Sequence, residues 1–213
     1  MSDTTPAPGA SGNAQRPVVT IFEEYGAGAA AIGKRVAEAI GLPFHAQAFS
    51  SSQIAGRPGP GTDEAVLARV LGSLGGAYAP GIDSRDIIST QSDKRDLVSD
   101  NNRTVRAYAD EGGVLIGRNA TVILADRPRT LHVLLTGEVA DRVDRAARDL
   151  GISREEAARR RANEEDVRRQ MSRTLYGWDP MERERYDLVL NVSRVGEDAA
   201  VSAIVDAVQR LNA

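Results

Sequence analysis

The sequence predicts an α/β protein, a three-layer parallel sheet with helices on both faces. Short apolar runs rich in β-branched residues recur at 18–22, 114–116, 130–135 and 186–192. Amphipathic helical patterns separate them, most clearly at 29–40, 139–150 and 197–211. Such alternation buries a sheet on both faces, because the crossover helices cover one side or the other. Glycines mark the strand-to-helix passages at Gly26, Gly28 and Gly117. Ligands of these sheets sit beyond the carboxyl ends of the strands.

Composition narrows the classes of function. The chain has 213 residues, 41% hydrophobic and 27% charged, enough for one sizeable core. A net charge of −3 gives no global basic field, so no nucleic-acid partner is expected. The absence of cysteine removes disulfides, thiolate catalysis and zinc–thiolate sites. His45 and His132 stand far apart and form no metal-spaced cluster, so no metal ligands are assigned. No apolar run approaches the roughly 20 residues of a membrane span, and the first residues are not signal-like. A cytoplasmic protein without a membrane partner is expected.

Residues 1–16, rich in Ser, Thr, Pro, Gly and Ala, read as a disordered tail, and 17–213 as one domain. The first strand, 18–22, leads through Tyr25-Gly26-Ala27-Gly28 into a helix with Ile32, Val36, Ala37 and Ile40 on one face. Gly41 and Pro43 stop it. Residues 42–49 suggest a second short strand. Breaker clusters at 56–61, 75–76 and 80–81 mark an insert over about 50–92, with a helix at 63–74 inside it. Ser92 or Asp93 caps a helix to about Asp110, ended by Gly112-Gly113. The strand 114–116 closes on Gly117-Arg118-Asn119, and a charged turn at 126–129 precedes the strand 130–135. The helix 139–150 stops at Gly151. Ser153 opens another in capping-box form, with Glu156 three residues on, and this helix is expected to break or bend before Tyr176.

The passage from the first strand to its helix aims backbone N–H groups and a helix N-terminus at an anion. Gly28, Gly33 and Lys34 fit a G-x-x-x-x-G-K pattern, but Arg35 replaces the final hydroxyl residue. That alignment leaves too short a helix for its apolar pattern. The phosphate-binding candidates are therefore Gly26, Ala27, Gly28, Ala29, Ala30 and Ala31, with Lys34 on a solvated helix face. Structural turns explain such glycines equally well.

Several motifs in register resemble the cytidylate kinase-like family, relatives of the P-loop nucleoside monophosphate kinases. They are 19–21 with 25–28, 32–33 and 40–44; then 116–120; then 130–133 with Arg142; and finally 186–191. The resemblance runs from about Val18 to the C-terminus and implies transfer of the γ-phosphoryl group of ATP to a monophosphate such as CMP, with Mg2+. It implies an acceptor site at Arg103, Arg118 and Asn119. It also implies a lid over about 151–180, where Arg161, Glu165 and Arg168 share a stripe like the arginine–acid–arginine clamp of related kinases.

The bland reading of that helix is a solvated face. Glu155–Arg159, Glu156–Arg160, Glu164–Arg168 and Glu165–Arg169 are i,i+4 pairs in the favourable order, each contributing about 0.2–0.5 kcal/mol. Against the family pattern, alanine replaces the loop lysine at Ala29 and also the hydroxyl residue for magnesium. Ile116 and Asn119 replace acidic residues, and Glu23 and Glu24 add negative charge beside the loop. The alternative to a kinase is thus an impaired nucleotide- or phosphate-binding module acting through a protein partner or self-association. His45 and His132 are expected to pack in or beside the core. Trp178 and Tyr176 either stack on a base or anchor the lid helix, and Asp187 is expected to satisfy local backbone groups.

Overall fold

A computed structural model describes residues 15–47 and 86–211. Five strands, β1 (Val18–Glu23), β2 (Phe44–His45), β3 (Gly113–Ile116), β4 (Thr130–Thr136) and β5 (Leu188–Asn191), form one parallel sheet. Among the described residues six α-helices accompany them: α1 (Ala29–Ile40), α2 (Asp86–Glu111), α3 (Ala120–Ile123), α4 (Val139–Leu150), α5 (Arg154–Tyr176) and α6 (Val192–Leu211). The strand order is β2-β3-β1-β4-β5. From β1 the chain goes to the edge strand β2, returns to β3 beside β1, and then crosses to the other side of β1 at β4. That reversal opens a crevice at the carboxyl end of β1.

The pleat sorts the core. Val19 and Ile21 of β1, with Val114, Val133 and Leu135, face α1 and α6. Val18 and Leu115 face the opposite side, where Val105 and Ala109 of α2 and Ala120 of α3 cover them. The sheet thus has helices on both faces. On that second side Phe22 and Leu134 pack with Trp178 and Tyr186.

Several boundaries differ from the sequence expectation. Strand β2 is two residues long, because Leu42 N–H turns back to the Ala37 carbonyl and Pro43 has no N–H for the ladder. Helix α2 is already formed at Asp86, where the described residues resume, ahead of the expected Ser92 or Asp93 cap. Helix α5 does not break before Tyr176. No proline or glycine interrupts it, and Gly177 ends it in the left-handed conformation. The last strand starts at Leu188, because the Asp187 carboxylate accepts from His132 N–H at its entrance while Asp187 N–H donates to His132 O. A non-helical Gly196 interrupts α6, leaving the stretch from Glu197 as the regular helix. The tail over 1–14, most of the insert and its helix at 63–74 lie outside the described residues.

Candidate active site

The β1–α1 junction has Gly26 and Gly28 at φ +78° and +93°. Ala27 and Ala29 are fully buried, whereas Ala30 and Ala31 are exposed. An anion already sits at the helix start: Ala29 N–H donates to Glu23 Oε2 at 2.9 Å. This carboxylate satisfies one orphan donor of α1 and lies at the favourable end of its dipole.

Helix α4 covers the same loop. Arg142, only 3% exposed, donates to Gly137 O (2.9 Å), Tyr25 O (3.0 Å) and Glu165 Oε1 (2.6 Å). It also lies 3.5 Å from Glu24 Oε2. Arg145 donates to Gly26 O at 2.9 Å and to Glu197 Oε1 at 3.1 Å. Both are cations on a helix face that also carries Val143 and Ala146, facing the loop that they bind. The sequence placed Arg142 in a motif of the resemblance but assigned neither residue a role. The available signal was Arg142 in line with the apolar Ala146, four residues on.

Helix α5 closes the crevice. Arg161 donates to Glu165 Oε2 at 2.8 Å, and its own Nε is buried without a hydrogen-bond partner. Arg168 holds the fully buried Glu164 at 3.1 Å and Gln47 Oε1, beyond β2, at 3.2 Å. The expected Glu155–Arg159 and Glu156–Arg160 pairs form. The expected Glu165–Arg169 pair does not: Glu165 goes to Arg142 and Arg161, and Arg169 turns to Asp179. A buried cation from α4 outcompetes a solvated neighbour, because the interior screens charge less. Glu23, Glu24, Glu165, Arg168, Arg169 and Met181 thereby line one small cleft at the end of β1. Beneath it, burial and the Glu164 carboxylate push the Tyr25 hydroxyl up to about 12.

The turn after β3 is unusual: Gly117, Arg118 and Asn119 all take positive φ. Two consecutive non-glycine residues in that region store strain, which concentrates at functional positions. Arg118 donates to Ala46 O at 3.0 Å and stands over the Tyr108 ring, which stacks on His45. Asn119 Oδ1 accepts from Ser172 Oγ (2.7 Å) and Trp178 Nε1 (2.9 Å), tying α5 and the following turn to β3. Trp178, 3% exposed, is therefore an anchor, with no face open to stack on a base. Arg103 is exposed and pairs with Asp100 on its own helix. The structure thus gathers Glu165 and Arg168 around the β1 end, keeps Arg161 on Glu165, and sets Arg118 and Asn119 on a neighbouring turn.

A five-stranded parallel sheet with a glycine-containing β1–α1 turn and an arginine-bearing helix over its carboxyl edge defines a kinase-like α/β class. The chain belongs to the cytidylate kinase-like family, whose model matches residues 18–194. It is 32% identical over 140 residues to a cytidylate kinase of Methanopyrus kandleri, spanning 62% of this chain and 72% of that protein. It is also 32% identical over 114 residues to a uronate isomerase of Corynebacterium glutamicum, spanning 54% of this chain but only 22% of that protein. A solved, uncharacterized protein from Eubacterium ventriosum shares the fold with a TM-score of 0.61 at 17% identity, over 92% of this chain and 99% of that one. No helix of the described residues is long and apolar enough to cross a membrane.

Proposed function

We propose that the chain is a nucleotide kinase-like phosphotransferase, passing the γ-phosphoryl group of ATP to a pyrimidine nucleoside monophosphate such as CMP. The observation that carries this reading is the meeting, in one cleft, of the end of β1 with Arg168 and Arg169 of α5. Phosphoryl transfer needs positioning and charge neutralisation more than covalent chemistry. Donor phosphates lie along the backbone of Gly26 to Ala31. An oxygen of the acceptor phosphate attacks the γ-phosphorus, the bridging P–O bond breaks, and ADP leaves. Arg161 and Arg168 neutralise the transferred group, whose oxygens their planar forks match. Arg118 and Asn119 face the acceptor, with Glu165 on the lid and Arg103 from α2. Closure of α5 keeps water from the γ-phosphorus.

Magnesium, which such transfers ordinarily use, does not fit the residues present. Glu23 is engaged by Ala29 N–H, and Glu24 and Glu165 by Arg142. Alanine occupies the loop positions of the lysine and hydroxyl group. Among the described residues no cluster of three acidic or histidine side chains converges on a metal.

One observation favours a second reading, a catalytically impaired nucleotide- or phosphate-binding module acting through a protein partner: the Glu23 carboxylate already holds the Ala29 amide that a donor phosphate would use. An ADP-release assay across a panel of monophosphates separates the two. The first reading expects a pyrimidine monophosphate to stimulate release above ATP alone. Binding heat with ATP or CMP in the absence of stimulated release leaves the second, and no heat with ATP, CMP or CTP removes both.

A further inference from the structure

Glu165 of α5 is held by arginines of two helices. Oε1 accepts from Arg142, which is fixed in the core by the Tyr25 and Gly137 carbonyls. Oε2 accepts from Arg161 on α5 itself. Two guanidinium groups from different helices thus converge on two oxygens of one anion, an arrangement that equally suits a phosphoryl group. Both have further demand for an acceptor. Arg161 Nε is buried and unpartnered, and Glu24 reaches Arg142 only at 3.5 Å. A tetrahedral dianion supplies more acceptor positions than the single carboxylate now there. Release of Glu165 would also remove the ion pair joining α5 to the residue that grips the β1–α1 loop.

Building on the phosphoryl-transfer reading of this cleft, we propose that Glu165 is an internal stand-in for phosphate. It occupies the Arg142–Arg161 pair and latches α5 over the loop until an incoming phosphoryl group displaces it. Arg142 is then a positioning residue, holding loop and lid together through its two carboxylate partners. Glu165 does more than neutralise a buried cation: its departure changes both the mobility of α5 and the affinity for anions.

The test uses the full chain without nucleotide, and the Glu165→Gln variant. Hydrogen exchange followed by mass spectrometry should show α5 exchanging about tenfold faster, with β1 and β4 unchanged, as expected for loss of a charge-assisted hydrogen bond. Calorimetry with pyrophosphate should show binding about five- to tenfold tighter, because the competing anion is gone. Unchanged exchange in α5, or pyrophosphate binding no tighter than in the native chain, overturns the latch. Should β1 and β4 loosen as well, Glu165→Asp keeps the negative charge beside Arg142 but draws the carboxylate back towards α5 by one methylene, breaking the inter-helix contact. That variant must loosen α5 selectively, and an unloosened α5 overturns the proposal. Monophosphate-stimulated ADP release, read on the same native sample, keeps the two readings apart. Its absence beside both expected effects sinks the phosphotransferase and leaves the latch, and turnover without those effects does the reverse.

Discussion

A methyl group on Gly26 would stand 2.2 Å from the backbone oxygen of Arg142, at a φ of +78° that side chains rarely adopt. Gly26→Ala therefore forces α4 off the loop and is expected to destabilise the chain by about 2–4 kcal/mol in urea unfolding. A loss below about 0.5 kcal/mol would mean that the loop and α4 are not in contact. The sequence marks Gly26 as a turn glycine suited to a phosphate, and the structure adds a packing reason for it. Asn119 carries the same lesson. Its place after Arg118 is legible in a motif, but its bonds to Ser172 and Trp178 span 53 and 59 residues, and no local pattern encodes them.

Helix α5 combines local and distant determinants. Ser153 Oγ accepts Glu156 N–H at 3.1 Å, the cap that the Ser-x-x-Glu pattern predicts. The Glu156 side chain turns instead to Arg159 and Arg160. Ser153→Ala should cost about 1 kcal/mol in helix stability, seen as faster exchange confined to the first turn of α5. Loosening that reached the C-terminal half near Ser172 would contradict this, because Asn119 holds that end independently. The i,i+4 rule anticipated the outward-facing pairs correctly. It failed at Glu165, where a neighbouring helix supplied a buried partner that a one-helix rule does not contain.

Across the whole molecule, a buried polar thread runs through the sheet face: His132 Nδ1 lies 2.7 Å from Thr20 Oγ1, which lies 3.3 Å from Thr121 Oγ1. Burial lowers the pKa of His132 below its ordinary value of 6.5, although Asp187 opposes the shift. The native state keeps the imidazole neutral while the unfolded chain takes up a proton as pH falls past about 6.5. Unfolding thus binds protons on acidification, and the His132 contribution to stability, full above about 6.5, is lost as pH falls towards the lowered folded value. His45, lowered mainly by its own burial, acts in the same direction. His132→Asn should narrow the drop in Tm between pH 7.5 and pH 5.5, and an equal drop in both proteins would show that His132 does not drive it.

The sequence by itself determined the fold class, the principal strands and the family, because these rest on periodicity, glycine stops and short motifs that neighbouring residues carry. It also brought forward Arg118, Asn119, Arg161, Glu165 and Arg168 as a set. Only the tertiary structure decided which anion each cation meets. Glu23 caps its own downstream helix, Arg142 is buried between loop and lid, and Glu165 joins two helices. Ion pairs between distant elements depend on where the backbone sets them and how well water is excluded, and neither quantity is carried by any single stretch of chain.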